Sequence, residues 1–229
     1  MRVQKGFTLV EMSIVLVIIG LIVGGILAGR DMIRNSVLKS IITETTSYKA
    51  AMNSFFNKYQ YLPGDWPQAT TRWPFASVWP GYYTGDGNGD GVISQPCGNC
   101  SEGLWAWQQL MSEGLISGRY SGRQQSGNAR LGRNIPDAPM KGTGYTIENW
   151  LRGKSAIVVS STNGAAFNGS GRVNAAEVWG IDVKVDDGNA ASGKVEARRG
   201  NGFSTGCIAG GEYDLDSDVI SCRIWFFLD

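Results

Sequence analysis

The chain contains no histidine. Imidazole is the usual general base near neutral pH and the commonest metal ligand. Its absence excludes Ser-His-Asp and Cys-His nucleophile pairs, and every zinc site built with His. Carboxylate, lysine or tyrosine chemistry stays open, but a glycosidase-type carboxylate pair needs a separation that no sequence displays. Charge is also scarce, at 18% of residues, and the formal net charge is only +1. No basic footprint points to nucleic acid. Proline is missing from residue 7 through Tyr59. With the strongest helix breaker absent, that whole stretch can form one helix. Together these absences argue against an enzyme and against a nucleic-acid-binding protein.

Among the residues present, glycine stands out with 32 copies in 229 residues. High glycine with low charge suits an extracytoplasmic, loop-rich domain, and the length accommodates one medium domain plus a helical appendage. The N-terminus reads MRVQKGFTLVEMSIVLVIIGLIVGGILAG. Arg2 and Lys5 precede an uncharged apolar run from Met12 to Gly29, and Glu11 stands at its start. An ionised side chain in hydrocarbon costs at least ~2.5 kcal/mol, so such a group marks a function and a partner. An ordinary secretory signal has about 7–15 apolar residues followed by a small-residue cleavage site. The run here is too long, and Gly24, Gly25, Ala28 and Gly29 form no clear site. A plain anchor needs about 20 apolar residues, which residues 7–28 supply. Neither alternative explains Glu11 or the order Gly-Phe-Thr-Leu-Val-Glu.

That order resembles the class III signal of type IV pilins and type II secretion pseudopilins. The resemblance implies cleavage between Gly6 and Phe7 by a membrane prepilin peptidase, then N-methylation of Phe7. It also implies that Glu11 is the assembly carboxylate, paired with the N-terminal amine of a neighbouring subunit. The chain would wait in the inner membrane as a single span with its N-terminus cytoplasmic. It would then join homologous subunits in a helical filament, periplasmic or at the cell surface. The rival reading is a membrane-anchored extracytoplasmic module that binds a glycan or another ligand.

Residues 1–6 are the expected leader and 7–29 the transmembrane and assembly half of the helix. Residues 30–62 are its amphipathic half, and 63–229 the exported globular domain. Leu38, Ile41, Ile42, Thr45, Tyr48, Met52, Phe55, Phe56 and Tyr59 recur at three- and four-residue steps, one stripe facing a core. A helix of about 50 residues spans ~75 Å. Gly20, Gly24, Gly25 and Gly29 permit close approach of backbones in a membrane or bundle.

The Pro63-Gly64 turn signal ends the rod. Trp66, Trp73, Trp79, Tyr82 and Tyr83 follow, and are read as a cap on the core against its helix, with an adhesive surface as the alternative. A short helix is expected over residues 102–114 and a long surface loop over 117–144. Strands are expected over 145–147, 155–160, 178–185, 193–198 and 219–228, the third from the alternation of Val-Trp-Gly-Ile-Asp-Val-Lys-Val. The expected fold class is α+β: a long N-terminal helix whose exported half packs on a C-terminal antiparallel sheet, as the resemblance also implies.

Four cysteines allow three pairings. In an oxidising compartment disulfides are favoured, and the local pairs Cys97–Cys100 and Cys207–Cys222 are preferred over a four-Cys metal site. Asp86, Asn88 and Asp90 alternate in Gly85-Asp-Gly-Asn-Gly-Asp-Gly-Val-Ile, with the Val92 carbonyl next, like the opening half of an EF-hand. The closing Glu is replaced by Cys97, so calcium would need a ligand from elsewhere, such as Glu102. Asp214, Asp216 and Asp218 form a second acidic run, which a solvated strand edge also explains.

Overall fold

The computed structural model describes residues 6, 8–74, 84–94, 102–123, 129–149, 151, 153–161, 169–200, 202 and 205–228. The chain divides into two compact units, Met1–Lys39 and Ser40–Asp229. One proline-free helix, α1 (Leu9–Tyr59), runs through both. In the first unit it is uncharged and largely apolar on all sides from Met12 to Gly29, and almost wholly exposed there, before Arg30, Asp31, Arg34 and Lys39 bring in charge.

In the second unit the same helix is amphipathic. Ile41, Thr45, Ala51, Met52 and Phe55 are buried, whereas Phe56, expected in the stripe, is exposed. Beyond Tyr59 the helix stops because Gln60 adopts a left-handed φ of 60°. Its N–H still reaches the Phe56 carbonyl at 2.7 Å, which satisfies one terminal acceptor. Pro63 and Gly64 then turn the chain. Trp66 stacks on Tyr59 at 4.2 Å between ring centroids, and Trp73 meets Trp66 at 5.6 Å. These two tryptophans therefore cap the end of α1. Trp79, Tyr82 and Tyr83 lie outside the described residues.

After the short helix α2 (Ala69–Arg72) come α3 (Glu102–Ser112), β1 (Thr143–Glu148), β2 (Ala156–Ser161) and α4 (Ala175–Val185). The chain ends with β3 (Val195–Arg199), the two-residue strands β4 (Ile208–Ala209) and β5 (Glu212–Tyr213), and β6 (Cys222–Phe227). Strands β1, β2, β6 and β3 lie in that order in one antiparallel sheet, with Tyr145 opposite Val159, Val159 opposite Ile224, and Ile224 opposite Ala197. This row belongs to the face that meets α1. Tyr48 of α1 makes edge contacts with Tyr145 at 5.1 Å and with Trp107 of α3 at 4.9 Å, and the Tyr145 hydroxyl donates to Glu44 at 2.9 Å.

The opposite face is also buried, and it carries charge. Ala156, Val158, Trp225 and Phe227 form an apolar cluster under Leu151. Beside it Arg223 is paired with Glu148, and Arg198 with Glu196 at 3.1 Å. Arg223–Glu148 is the fully buried pair, and removing one of its members would cost about 3–5 kcal/mol, whereas the partly exposed Arg198 makes its pair worth less.

The strand expected over residues 178–185 is instead α4. Asn174 accepts from the Glu177 N–H at 2.9 Å, and the Glu177 side chain accepts from the Asn174 N–H at 3.0 Å, a complete capping box. The buried residues Ala175, Val178, Ile181 and Asp182 follow helical steps. Alternation misled because β1, β2 and β6 are buried at every position, so none of these three turns a face to solvent. The last strand is also shorter than expected, starting at Cys222 and leaving Val219 and Ile220 exposed.

Candidate functional site

Thr8 precedes the first residue of α1 and Glu11 lies in its first turn. The Thr8 N–H and the Thr8 hydroxyl both donate to the same Glu11 oxygen, each at 2.8 Å. The Glu11 N–H donates back to Thr8 Oγ1 at 3.3 Å. This is a capping box, and it places a carboxylate where the positive end of the helix dipole favours one. The sequence carried the signal as Thr-x-x-Glu, but the role of Thr8 was not read from it.

Beyond Glu11 the helix surface is continuously apolar. Val10, Ile14, Leu16, Val17, Leu21 and Ile22 are exposed, and the most apolar stretch is long enough to cross a membrane with none of it buried. Gly6 is exposed with open space around it. Phe7 lies outside the described residues.

The Asp86–Val92 segment is organised by two carboxylates outside it. Asp65, directly after the Pro63-Gly64 turn, accepts from the N–H groups of Gly89 at 2.7 Å, Asp90 at 3.2 Å and Gly91 at 2.8 Å. Glu102, at the start of α3, accepts from Asn88 N–H at 3.2 Å and Ser94 N–H at 2.7 Å. Both carboxylates are buried. Burial pushes each above the ordinary carboxylate range; Asp90 adds to this at Asp65, and Asp65 adds to it at Glu102, while the N–H groups pull both back. Gly87 passes so close that a Cβ there would lie 2.2 Å from the Asp65 carbonyl carbon, so only glycine fits.

The expected ligand oxygens have other duties in this loop. Asp86 accepts from the N–H and hydroxyl of Thr70 at 2.8 and 2.7 Å. Asn88 Oδ1 accepts from Asp90 N–H and Asp90 Oδ1 from Val92 N–H, both at 2.9 Å. Those two contacts are Asx turns, which alternate Asn/Asp residues build in tight loops. The fold thus brings Asn88 and Asp90 together, aims Asp86 at Thr70, and delivers Glu102 to the loop. Asp65 went unforeseen because its partners lie more than twenty residues downstream.

Cys207 and Cys222 form the expected disulfide, with Cα atoms 5.2 Å apart. Cys97 and Cys100 lie outside the described residues. A further group, Asp182, Asp186 and Asp187, has carboxylate oxygens within 4.8 Å of one another. These side chains fasten the turn after α4: Asp182 accepts from Tyr213 Oη at 2.7 Å and Gly188 N–H at 3.2 Å, and Asp187 from Ser192 Oγ at 2.8 Å. Burial raises the Asp182 carboxyl, with Asp187 and Asp186 adding to the effect.

Residues 1–27 match the family described as the prokaryotic N-terminal methylation motif, the prepilin-type signal of type IV pilins and pseudopilins. No curated protein and no solved structure matches the chain. The N-terminus therefore carries a prepilin-type signal, and the α+β architecture behind it is pilin-like.

Proposed function

We propose that the chain is a prepilin-like structural subunit, cut by prepilin peptidase between Gly6 and Phe7 and polymerised into a type IV pilus or type II secretion pseudopilus. The observation that carries this reading is Glu11, an exposed carboxylate held in the first turn of an apolar helix within the methylation motif. Glu11 receives the methylated amine of Phe7 from a neighbouring copy or relative. A buried carboxylate left without that partner is costly, so wrong registers are disfavoured more than the right one is rewarded. The glycan-module alternative is weakened because Trp66 and Trp73 are spent on packing against the end of α1. The test is the N-terminal mass of the full chain expressed with a prepilin peptidase. Methylated Phe7 is expected, whereas a retained Met1 would mean a simple anchor.

A subsidiary proposal concerns Ca²⁺ at Asn88, Asp90 and the Val92 carbonyl, with Glu102 as the added ligand. It is supported by the acids gathered here, since Asp90 pushes the buried Asp65 carboxyl up and Asp65 does the same to the buried Glu102. A cation would relieve that repulsion, so Ca²⁺ should raise the melting temperature of the full chain in detergent and a chelator should lower it. An unchanged midpoint in both would exclude a structural ion.

A further inference from the structure

The sequence contains four Asn-Gly pairs, beginning at Asn88, Asn163, Asn168 and Asn201. The last three asparagines lie outside the described residues. Such a pair is chemically unstable because glycine, without a Cβ, lets its backbone nitrogen approach the preceding carboxamide carbon. Asn88 meets every requirement of that reaction but one. Both Asn88 and Gly89 are exposed to water. Asn88 Oδ1 accepts from the Asp90 N–H at 2.9 Å, and its Nδ2 donates to Asp90 Oδ2 at 2.9 Å. That Asx turn folds the carboxamide back over the residues that follow it, so reach does not restrain the reaction.

The restraint is on the nucleophile. The Gly89 N–H donates to Asp65 Oδ1 at 2.7 Å and to the Asp65 carbonyl at 3.1 Å. To attack, this nitrogen must lose its proton. A carboxylate is far too weak a base to take it, and its negative charge opposes the amidate that would form. Asp65 is itself fixed, since it is buried and also holds the N–H groups of Asp90 and Gly91. Pro67 and Tyr61 back Gly89, lying 3.0 and 3.3 Å from where a Cβ would stand. The nitrogen therefore stays protonated and pinned, while the electrophile beside it stays exposed.

We infer that Asn88 is a site of spontaneous deamidation that Asp65 holds shut. Once the Gly89 N–H is released and gives its proton to hydroxide, the nitrogen bonds to Asn88 Cγ and the Cγ–Nδ2 bond breaks. Ammonia leaves with a proton from water, which restores the hydroxide, and a succinimide joins Cγ to the Gly89 nitrogen. Water then opens the ring at either carbonyl. One product is aspartate; the other is isoaspartate, in which the main chain runs through Cβ and Cγ. Either product adds a negative charge beside Asp65, Asp86, Asp90 and Glu102. Isoaspartate also lengthens the tight turn in which Gly89 and Gly91 take positive φ. Asp65 is thus a positioning residue that keeps the loop chemically intact, and this role does not depend on the filament reading.

The test follows Asn88 in the full chain in detergent, with a chelator present so that no cation holds the loop. Each protein is incubated in mildly alkaline buffer below its own melting midpoint, so that release of Gly89 is separated from unfolding. The fragment spanning Asn88 is then read by mass spectrometry for aspartate and isoaspartate. Asp65→Asn keeps an acceptor but removes the charge. Its conversion should run at least about ten-fold faster than in the unaltered chain, the factor for losing one charge-assisted hydrogen bond. Glu102→Gln loosens the same loop at the Asn88 N–H and leaves Gly89 alone, so its rate should stay within about two-fold of the unaltered chain. Conversion no faster in Asp65→Asn than in the unaltered chain would overturn the inference. So would an unaltered chain that converts as fast folded as it does denatured. Equal acceleration by Glu102→Gln would overturn Asp65 as the guard and leave general loosening of the loop as the cause.

Discussion

Thr8 and Glu11 hold each other at the head of α1, with both Thr8 donors converging on one carboxylate oxygen at 2.8 Å. Glu11 is therefore aimed before any partner arrives. Glu11→Ala should leave membrane insertion and leader removal intact but reduce filament incorporation to near zero, read by mass spectrometry of membranes and of sheared filaments. Normal filaments from this variant would remove Glu11 from the assembly contact. Glu11→Gln keeps an oxygen for the cap but loses the charge, so it should fail nearly as badly.

Cleavage is a separate step with its own determinant. Gly6 stands in open space, so Gly6→Val meets no steric obstacle within the chain and tests recognition alone. The leader should stay attached, visible as an uncut precursor on a gel. A mature N-terminus at Phe7 in that variant would contradict the assigned junction.

Asp65 offers a pH test. Its carboxyl is raised above the usual 3.8, chiefly by burial. A carboxyl raised by folding binds its proton more tightly in the native state than in the unfolded one. Its contribution to stability therefore declines as pH rises from the unfolded value through the raised native one. Asp65→Asn removes that titration. The melting temperature of Asp65→Asn relative to the unaltered chain should be lowest near the ordinary carboxyl range and should improve toward neutral pH. A constant difference across that window would show that Asp65 does not titrate there. Asp65→Ala should follow the same pH trend and cost about 1–3 kcal/mol more than Asp65→Asn throughout, because three loop N–H groups lose their acceptor.

Cys207 and Cys222 are fifteen residues apart, and a closed loop of that size contributes about 3 kcal/mol. Cys207→Ala with Cys222→Ala should lower the denaturation midpoint by a matching amount. It should also expose the loop to proteases, since Val219 and Ile220 have little packing of their own.

How far the sequence alone carried depended on the range of the forces involved. The proline-free rod, the amphipathic switch after Arg30 and the local disulfide were legible because each is written within a few turns of chain. Glu102 could be suspected as a loop partner because the EF-hand pattern visibly lacked its last acid. Asp65 could not, since its hydrogen bonds cross to residues 89–91. The misreading of residues 178–185 has a local cause. Asn174 and Glu177 carry the Asn-x-x-Glu pattern of a capping box, a local helix start that outweighs the Val-Trp-Gly-Ile-Asp-Val alternation. That alternation is a weak guide in a sheet buried on both faces, one of them lined by the Arg223–Glu148 and Arg198–Glu196 pairs.

The cap at Thr8 also fixes how much slack the mature chain has. Removal of six residues would leave a single residue ahead of an already closed helical turn. Ordering a loose tail costs about 1–2 kcal/mol per residue, and here almost no tail remains to be ordered. A neighbour displaced by one helical turn would therefore meet a Glu11 already fixed by Thr8, with no slack in the capped turn to follow the error.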